Sequence, residues 1–558
     1  MTRKWWQDAV IYQVYLRSFN DSNNDGIGDL QGVIEKLPYI KSLGANTVWI
    51  SPHYDSPMDD NGYDVRDFFK VSEDYGDLDD FKALLDSAHD QGIKIIIDLV
   101  LNHTSDEHPW FEAAKDPAHP KHEKYHDYYI WQPPKDMTDG VQTLPTNWRS
   151  WFGGPVWEYN ALTHSYYLHI FSKKMPDLNW RNKNMIQDMM AMIQWWIDLG
   201  VDGFRVDASN HLEKNWDFPD AYPGYEHFSS LPKHHDYLKL LGEQLFFPNN
   251  LMTIGESGGA SPKEALQYAG FDSKEFNMLI QFGHCWADID DANHITPGKW
   301  AKGTINVPHI KQSLAHWINV FEDKGQNTLY WHNHDHPRVV SHYGSDTFKT
   351  HEISAKMLAY SLYLLPGTPI IYQGEEIGMT NVDYQQLNDF RDVEVYTEYA
   401  NFIQLGATHE VAMQALRDRA RDNARSPMQW DNTLHGGFSE YTPWMATNQN
   451  KDFINVRQQE NDKNSILNTY RNLIALRKSE DLAFAKTQFY DLDHAQSFHY
   501  QSKGKYHTYV VISNFSDQTM VLNDLKITDD YTLYLSNTRA QERNVFKPYE
   551  ARIYRKKH

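Results

Sequence analysis

The tightest constraint on this chain lies between Asn184 and Ala208. Met185, Ile186, Met189, Met192, Ile193, Trp196 and Ile197 recur at helical spacing. Gly200 then stops the helix, as glycine does just past a helix end. Gly203-Phe204-Arg205-Val206-Asp207-Ala208 follows and reads as a short buried strand. A strand directly after a helix implies a parallel α/β sheet with strands buried on both faces. Side chains alternate along a strand, so Arg205 and Asp207 point the same way. A buried charge must be paired, hydrogen-bonded or at work. Arg205 beside Asp207 favours an ionised carboxylate. At the C-terminal end of a barrel strand, that is where a nucleophile belongs. Taken alone, the stretch reads first as a structural ion pair.

Two further stretches change that balance. Thr253-Ile254-Gly255-Glu256 is an apolar run ending in an acid. Leu329-Tyr330-Trp331-His332-Asn333-His334-Asp335 is another. Three acids, each closing its own run, argue for one shared site rather than three separate ion pairs.

In chain order, strands are expected at Ala9 to Phe19, Asn46 to Ser51 and Ile93 to Leu101, with a helix from Leu30 to Leu43 closed by Gly44. The rhythm breaks from Thr104 to about Pro176, in a stretch rich in Trp, Tyr, His, Pro and Asp. That is too long for an ordinary loop and points to a small domain inserted over the barrel mouth. The alternation resumes with the Arg205 strand and the Glu256 strand. Further strands are expected at roughly Asn277 to Phe282, up to Asp335, and at Pro369 to Tyr372. A second excursion runs from Met379 to about Asn464, and a helix from Ser465 to Lys478 closes the barrel. From about Asp481 the pattern turns to two-residue alternation, as in Tyr506-His507-Thr508-Tyr509-Val510-Val511-Ile512. The expected fold is a (β/α)8 TIM barrel (1–103 and 176–480), an inserted domain after the third strand (104–175), and a C-terminal antiparallel β-sandwich (481–558).

The loop after the first strand, Asp21-Ser-Asn23-Asn-Asp25-Gly-Ile27-Gly-Asp29, holds six oxygen-bearing side chains in nine residues. Hard cations choose such ligands. Its twelfth position is Gly32 rather than Glu, so it is not an EF-hand. A structural Ca²⁺, with Mg²⁺ the other candidate, is expected on Asp21, Asn23, Asp25, Asp29 and the Ile27 carbonyl. The competing reading is a turn built on Asx side chains.

Composition narrows the partners. The net charge of −22 argues against nucleic acid and against an anionic membrane surface. No run reaches the length of a membrane span. Arg3 and Lys4 are followed by no apolar core of a secretion signal, and the single Cys285 rules out an internal disulfide framework. A cytoplasmic protein, monomeric or weakly homo-oligomeric, is expected. Aromatics make up 14% of the chain, which suits both core filling and the apolar faces of sugar rings.

The motifs in their order resemble glycoside hydrolase family 13, the α-amylase family, in its oligo-1,6-glucosidase, dextran glucosidase and α-glucosidase branch. They are Asp98-Leu-Val-Leu-Asn102-His103, Gly203-Phe-Arg205-Val-Asp207, Ile254-Gly-Glu256, Asn333-His334-Asp335, Met175-Pro-Asp177-Leu-Asn179, Tyr372-Gln-Gly-Glu-Glu376 and Arg425-Ser-Pro-Met-Gln-Trp430. The similarity spans essentially the whole chain. It implies cleavage of small α-glucosides with retention, which needs two carboxyl groups about 5–5.5 Å apart. Asp207 resembles the nucleophile, Glu256 the general acid and base, and Asp335 the third acid that grips the distorted sugar. The resemblance makes His103 and His334 sugar-binding histidines, Arg205 the residue that orients Asp207, Tyr63 a stacking platform and Phe171 a pocket wall. Asp60 and Arg425 match a pair that clamps the terminal glucose, which implies a pocket and exo-cleavage.

Three departures bear on linkage. Ala208-Ser209-Asn210 follows the nucleophile where α-1,6-specific members carry Val, Ile and Asn. Met175 replaces Gln, and His336 follows the third acid. The smaller Ala208 resembles enzymes that accept α-1,4 bonds, so both linkages are expected. The alternatives are a strict oligo-1,6-glucosidase, a trehalose-6-phosphate hydrolase, for which Lys233-His234-His235 offers thin support, and sucrose-isomerising or glucosyl-transferring relatives. A non-catalytic transporter-associated scaffold would have a membrane span and lack the carboxylates. His332, His334 and His336 share a strand face, but no matching cluster follows, so a transition metal is the lesser reading.

Overall fold

A computed structural model describes residues 3–135, 137–138, 141–539 and 542–558. Eight parallel strands form one sheet: β1 (Ile11–Val14), β2 (Thr47–Ile50), β3 (Lys94–Val100), β4 (Gly203–Asp207), β5 (Met252–Glu256), β6 (Met278–Ile280), β7 (Thr328–Leu329) and β8 (Thr368–Tyr372). Their order is β6-β5-β4-β3-β2-β1-β8-β7. The seam between β6 and β7 is bridged by side chains. The Thr328 hydroxyl donates to the Leu279 carbonyl at 2.7 Å, and the Tyr330 hydroxyl to that of Gln281 at 2.5 Å. The sheet is thereby closed into the expected barrel.

Helices cover it from outside, and their ends obey local chemistry. Leu30–Leu43 is capped by the Asp29 side chain, which accepts from the Gly32 N–H, and ends at Gly44 in the left-handed region. Lys183–Leu199 buries Met185, Met189, Met192, Ile193 and Trp196 and ends at Gly200, φ 109°. Gly203 lets β4 approach β5, because a methyl there would overlap the Met252 carbonyl oxygen.

β1 is much shorter than Ala9 to Phe19. Beyond Val14 the Tyr15 and Leu16 N–H groups are taken by the Gln373 and Ser51 side chains, at 2.7 and 3.1 Å, and the chain turns into a 3-10 helix, Leu16–Ser18. β6 also stops short of Phe282, and β7 ends six residues before Asp335.

The insertion after β3 carries a three-stranded antiparallel sheet of Trp131–Gln132, Ser165–Leu168 and Trp157–Asn160. The late excursion is helical, with Val393–Gln404 and His409–Arg419 packed around Phe390, Val395, Phe402 and Leu416. The C-terminal region is a five-stranded antiparallel sheet ordered Lys486–Tyr490, Ser497–Lys503, His507–Asn514, Ala551–Lys557 and Thr532–Ser536. A two-stranded sheet packs with it around Val510, Ile512, Met520 and Phe546.

Candidate active site

Parallel registration brings the acids together. Arg205 of β4 lies level with Asp98 of β3 and Ile254 of β5, and Val206 with Gly255. One step on, Asp207 stands beside Glu256 at the C-terminal ends, the face on which barrel sites are built. The fully buried Arg205 serves three carboxylates. Nη1 donates to Asp98 Oδ1 at 2.6 Å and Asp207 Oδ1 at 2.7 Å. Nη2 lies 2.7 Å from Glu256 Oε1, an ion pair in which no N–H points along the contact. Glu256 Oε2 also accepts from the Ala208 N–H at 3.0 Å.

One cation among three acids leaves a surplus of negative charge. Burial, and then the Glu256, Asp98 and Asp335 carboxylates, push Asp207 well above the usual carboxylate range against the pull of Arg205. Burial likewise raises Asp98 to about 6. Arg205 does contact Asp207 as expected, but it is shared with Asp98 and Glu256, so its single charge does not offset all three carboxylates.

Asp335 behaves oppositely. Burial pushes it up, but the Arg421, Arg425 and Arg205 guanidiniums outweigh that and hold its carboxyl far below the usual range. Arg425 Nη2 donates to Asp335 Oδ1 at 2.9 Å and Nε to the His334 carbonyl at 3.1 Å. His334 stacks on Tyr63 with ring centroids 5.4 Å apart, and its Nε2 lies 2.7 Å from the Tyr63 hydroxyl. Burial lowers His334 and His103 to about 3, so both imidazoles are neutral.

These groups border a cavity of about 1160 Å³. Asp60, Tyr63, His103, Phe171, Met175, Asp207, Ala208, Glu256, Asp335 and His336 line it, whereas Arg205, His334 and Arg425 support it from behind. In its lining Arg421 Nη2 donates to Asp60 Oδ1 at 2.9 Å, and Arg421 grips Asp392 through two bonds, of 2.5 and 2.7 Å. The arginine that faces Asp60 is thus Arg421 and not Arg425. The two are a helical turn apart in Asp422–Arg425 and its lead-in, and Arg425 is drawn behind the wall by Asp335 and the His334 carbonyl. The sequence analysis assigned neither Arg421 nor Asp392. The signal was the four-residue spacing of the arginines.

The alpha-amylase catalytic domain model matches residues 13–485. The chain belongs to the α-amylase family. It is a glycoside hydrolase. An oligo-1,6-glucosidase of Halalkalibacterium halodurans is 42% identical, over 99% of both chains. An α-glucosidase of Pediococcus pentosaceus is 38% identical, over 99% of each. Among solved structures, a Bacillus licheniformis trehalose-6-phosphate hydrolase mutant superposes with a TM-score of 0.90 at 36% identity, covering 99% of this chain and all of the other.

Within this α-amylase-family fold, the fifth motif has a structural task. Asp177 pairs with Lys214 at 2.8 Å, both side chains fully buried, and Lys214 Nζ also donates to Asn102 Oδ1 at 2.7 Å. Ala208 adopts a left-handed conformation, φ 46° and ψ 36°, which aims its N–H at Glu256. The alternate histidines have separate partners: His332 lies by Glu375 and His336 by Asn333. Lys233-His234-His235 is not at the cavity. His234 Nε2 lies 2.7 Å from the Tyr268 hydroxyl, and His235 pairs with Glu275 at 2.9 Å.

The 21–29 loop folds around its own N–H groups. Asp21 accepts from Asn24, Asp25 and Gly26, Asn23 from Asp25, and Asp25 from Ile27. Asp29 is engaged by Ser22 and the helix start. Among the described residues no group of three or more His, Cys, Asp or Glu is arranged to hold a metal ion, and no helix is long and apolar enough to cross a membrane.

Proposed function

We propose that the protein is an exo-acting, retaining α-glucosidase that releases glucose from the non-reducing end of short α-glucosides, with α-1,4 and α-1,6 bonds both cut. The observation that supports this is the ion pair of Asp60 and Arg421 in the cavity lining, backed by Asp392, which we read as the closed end of the pocket. A terminal glucose meets donors and acceptors there, and a further unit meets the wall.

In the first step an Asp207 oxygen bonds to the anomeric carbon as the glycosidic C–O bond breaks. The bonding pair leaves with the aglycone oxygen, which takes a proton from Glu256. In the second step Glu256 removes a proton from water, whose oxygen attacks the same carbon and frees the Asp207 carboxylate. A sugar hydroxyl in place of water gives glucosyl transfer. The cycle needs Asp207 as carboxylate and Glu256 carrying the proton, and developing positive charge on the sugar favours that arrangement. Asp335, held ionised, binds hydroxyls and stabilises that charge.

Ala208 and the buried Met175 are apolar residues of the cavity lining, and we place them on the leaving-group side. An apolar wall discriminates weakly, by roughly 1–3 kcal/mol per methylene. The test is a panel of maltose, isomaltose, trehalose 6-phosphate, sucrose and starch. Maltose and isomaltose are expected to be cleaved and starch slowly. Ala208→Val, which narrows the wall, should raise the isomaltose-to-maltose ratio of kcat/KM. Cleavage of trehalose 6-phosphate alone would replace this reading with the phosphorylated one. Untouched maltose would leave a strict oligo-1,6-glucosidase.

A Ca²⁺ or Mg²⁺ ion at the 21–29 loop is a second proposal, supported by its oxygen-rich composition. Asp29 does not fit it, being spent on the helix start. A Tm raised by Ca²⁺ and lowered by EDTA is expected. A Tm indifferent to both would leave a turn held by its own side chains.

A further inference from the structure

The cavity continues past the acids to a rim drawn from three separate regions. Arg149 and Trp151 come from the insertion after β3, and Tyr222 and Tyr225 from the segment after β4. Glu398 and Asn401 come from one face of the helix Val393–Gln404. Trp151 and Tyr225 are stacked, with centroids 4.0 Å apart and planes at 9°. Trp151 and Tyr222 remain 39% and 71% exposed, so large aromatic faces stand open at the mouth. Arg149 is fixed by its neighbours: its N–H donates to the Pro223 carbonyl at 2.8 Å, and Nη1 to the Tyr222 hydroxyl at 3.1 Å. Opposite, Asn401 Nδ2 donates to Glu398 Oε2 at 3.1 Å.

Between the two sides is a gap of telling size. Arg149 Nη2 lies 3.8 Å from Glu398 Oε1, too far for a direct hydrogen bond. The guanidinium only donates and the carboxylate only accepts. A hydroxyl does both, so one sugar hydroxyl satisfies the pair at once. The rim is built before any ligand arrives, because the loop at Gly153 packs directly on the helix. A methyl there would come within 2.8 Å of the Thr397 methyl group and 3.0 Å of Glu398 Oε1. Aromatic faces beside a fixed donor and acceptor are how proteins hold a hexose. The cavity's volume of about 1160 Å³ exceeds the roughly 300–1,000 Å³ usual for small-ligand pockets.

We propose that Arg149, Glu398, Tyr222 and the Trp151–Tyr225 stack form an outer sugar subsite that binds the reducing-end hexose of a trisaccharide. This rests on the glucosidase reading above and extends it to chain length. The subsite favours trisaccharides over disaccharides, and it offers a resting place for an acceptor sugar in glucosyl transfer.

The test compares kcat/KM for maltose, isomaltose, maltotriose and isomaltotriose in the parent enzyme, Arg149→Ala and Glu398→Gln. Cleavage of p-nitrophenyl α-glucoside controls for the reaction itself. The expected result is a trisaccharide-to-disaccharide ratio lowered about tenfold in both variants, the size of one charged hydrogen bond to a substrate hydroxyl. A purely structural role lowers both substrate classes together and leaves the ratio alone. A ratio within about twofold of the parent therefore overturns the subsite. If the parent cleaves none of these glucosides, it is the glucosidase reading that fails. Calorimetry of maltotriose with the same proteins then tests the subsite by itself, and affinity unchanged by Arg149→Ala overturns it.

Discussion

Each charged residue at this site takes its meaning from the count of its partners. Arg205 meets Asp98, Asp207 and Glu256, so its one charge cannot settle all three. Asp335 by contrast has two arginines in contact, Arg425 at 2.9 Å and Arg421 at 3.4 Å. That asymmetry predicts the outcome of amide substitutions. Asp207→Asn should abolish turnover with the fold intact, since an amide cannot form the glycosyl ester. Glu256→Gln should stop cleavage of maltose but spare aryl glucosides with good leaving groups, which need no proton. Wild-type maltose turnover by Glu256→Gln would remove the acid assignment. At this scale the sequence exposed the acids, because each closes an apolar run. It did not show which of two arginines faces Asp60, since that depends on tertiary partners four residues apart: Asp392 and Asp60 for Arg421, Asp335 and the His334 carbonyl for Arg425.

Among the elements, the three helices read from the sequence were placed almost to the residue, whereas others, such as Leu78–Asp90 and Val307–Phe321, were not read at all. The ends of the three are written locally, in Asp29 and Gly44 around one helix and Ser465 before another. Strand ends were not. β1 stops because Gln373 and Ser51, distant in sequence, take its next N–H groups, and β7 is two residues long because side chains close the seam. The loop 21–29 was readable as a turn or a metal site, and composition alone could not separate them. The two chain segments that flank the insertion after β3 are held together by the buried Lys214, which joins Asp177, Asn102 and the His211 carbonyl. Lys214→Met leaves the Asp177 charge buried and unpaired, so a loss of roughly 3–5 kcal/mol is expected. Activity should fall with it, because Asp177 is bridged through the backbone to His103. Chemical denaturation and kcat/KM measured together check this. Unchanged stability would mean the pair is dispensable.

For the molecule as a whole, burial of ionisable groups sets an optimum pH for stability. Burial raises Asp64 and Asp98 to about 6 and Glu375 to about 8. Their folded values exceed the unfolded ones, so their contribution is present at low pH and is lost as pH rises through about 6 to 8. Burial lowers His53, His103, His108 and His211 to about 3. Their contribution is present above the ordinary histidine range and is lost as pH falls from there towards 3. Stability should therefore peak between, near neutral to mildly acidic pH, with Tm falling on both sides. A Tm that climbs steadily from pH 6 to pH 9 would contradict the protonated state of these buried acids.

In the proposed mechanism Asp207 and Glu256 act in succession on one terminal glucose held against Asp60 and Arg421. Proton NMR of the first products from maltotriose tests it most directly. The expected products are α-glucose and maltose, with the α anomer of glucose appearing before mutarotation. Initial release of β-glucose would contradict the covalent step on Asp207, and early maltose or longer fragments from the interior of starch would contradict the sealed end at Asp60 and Arg421.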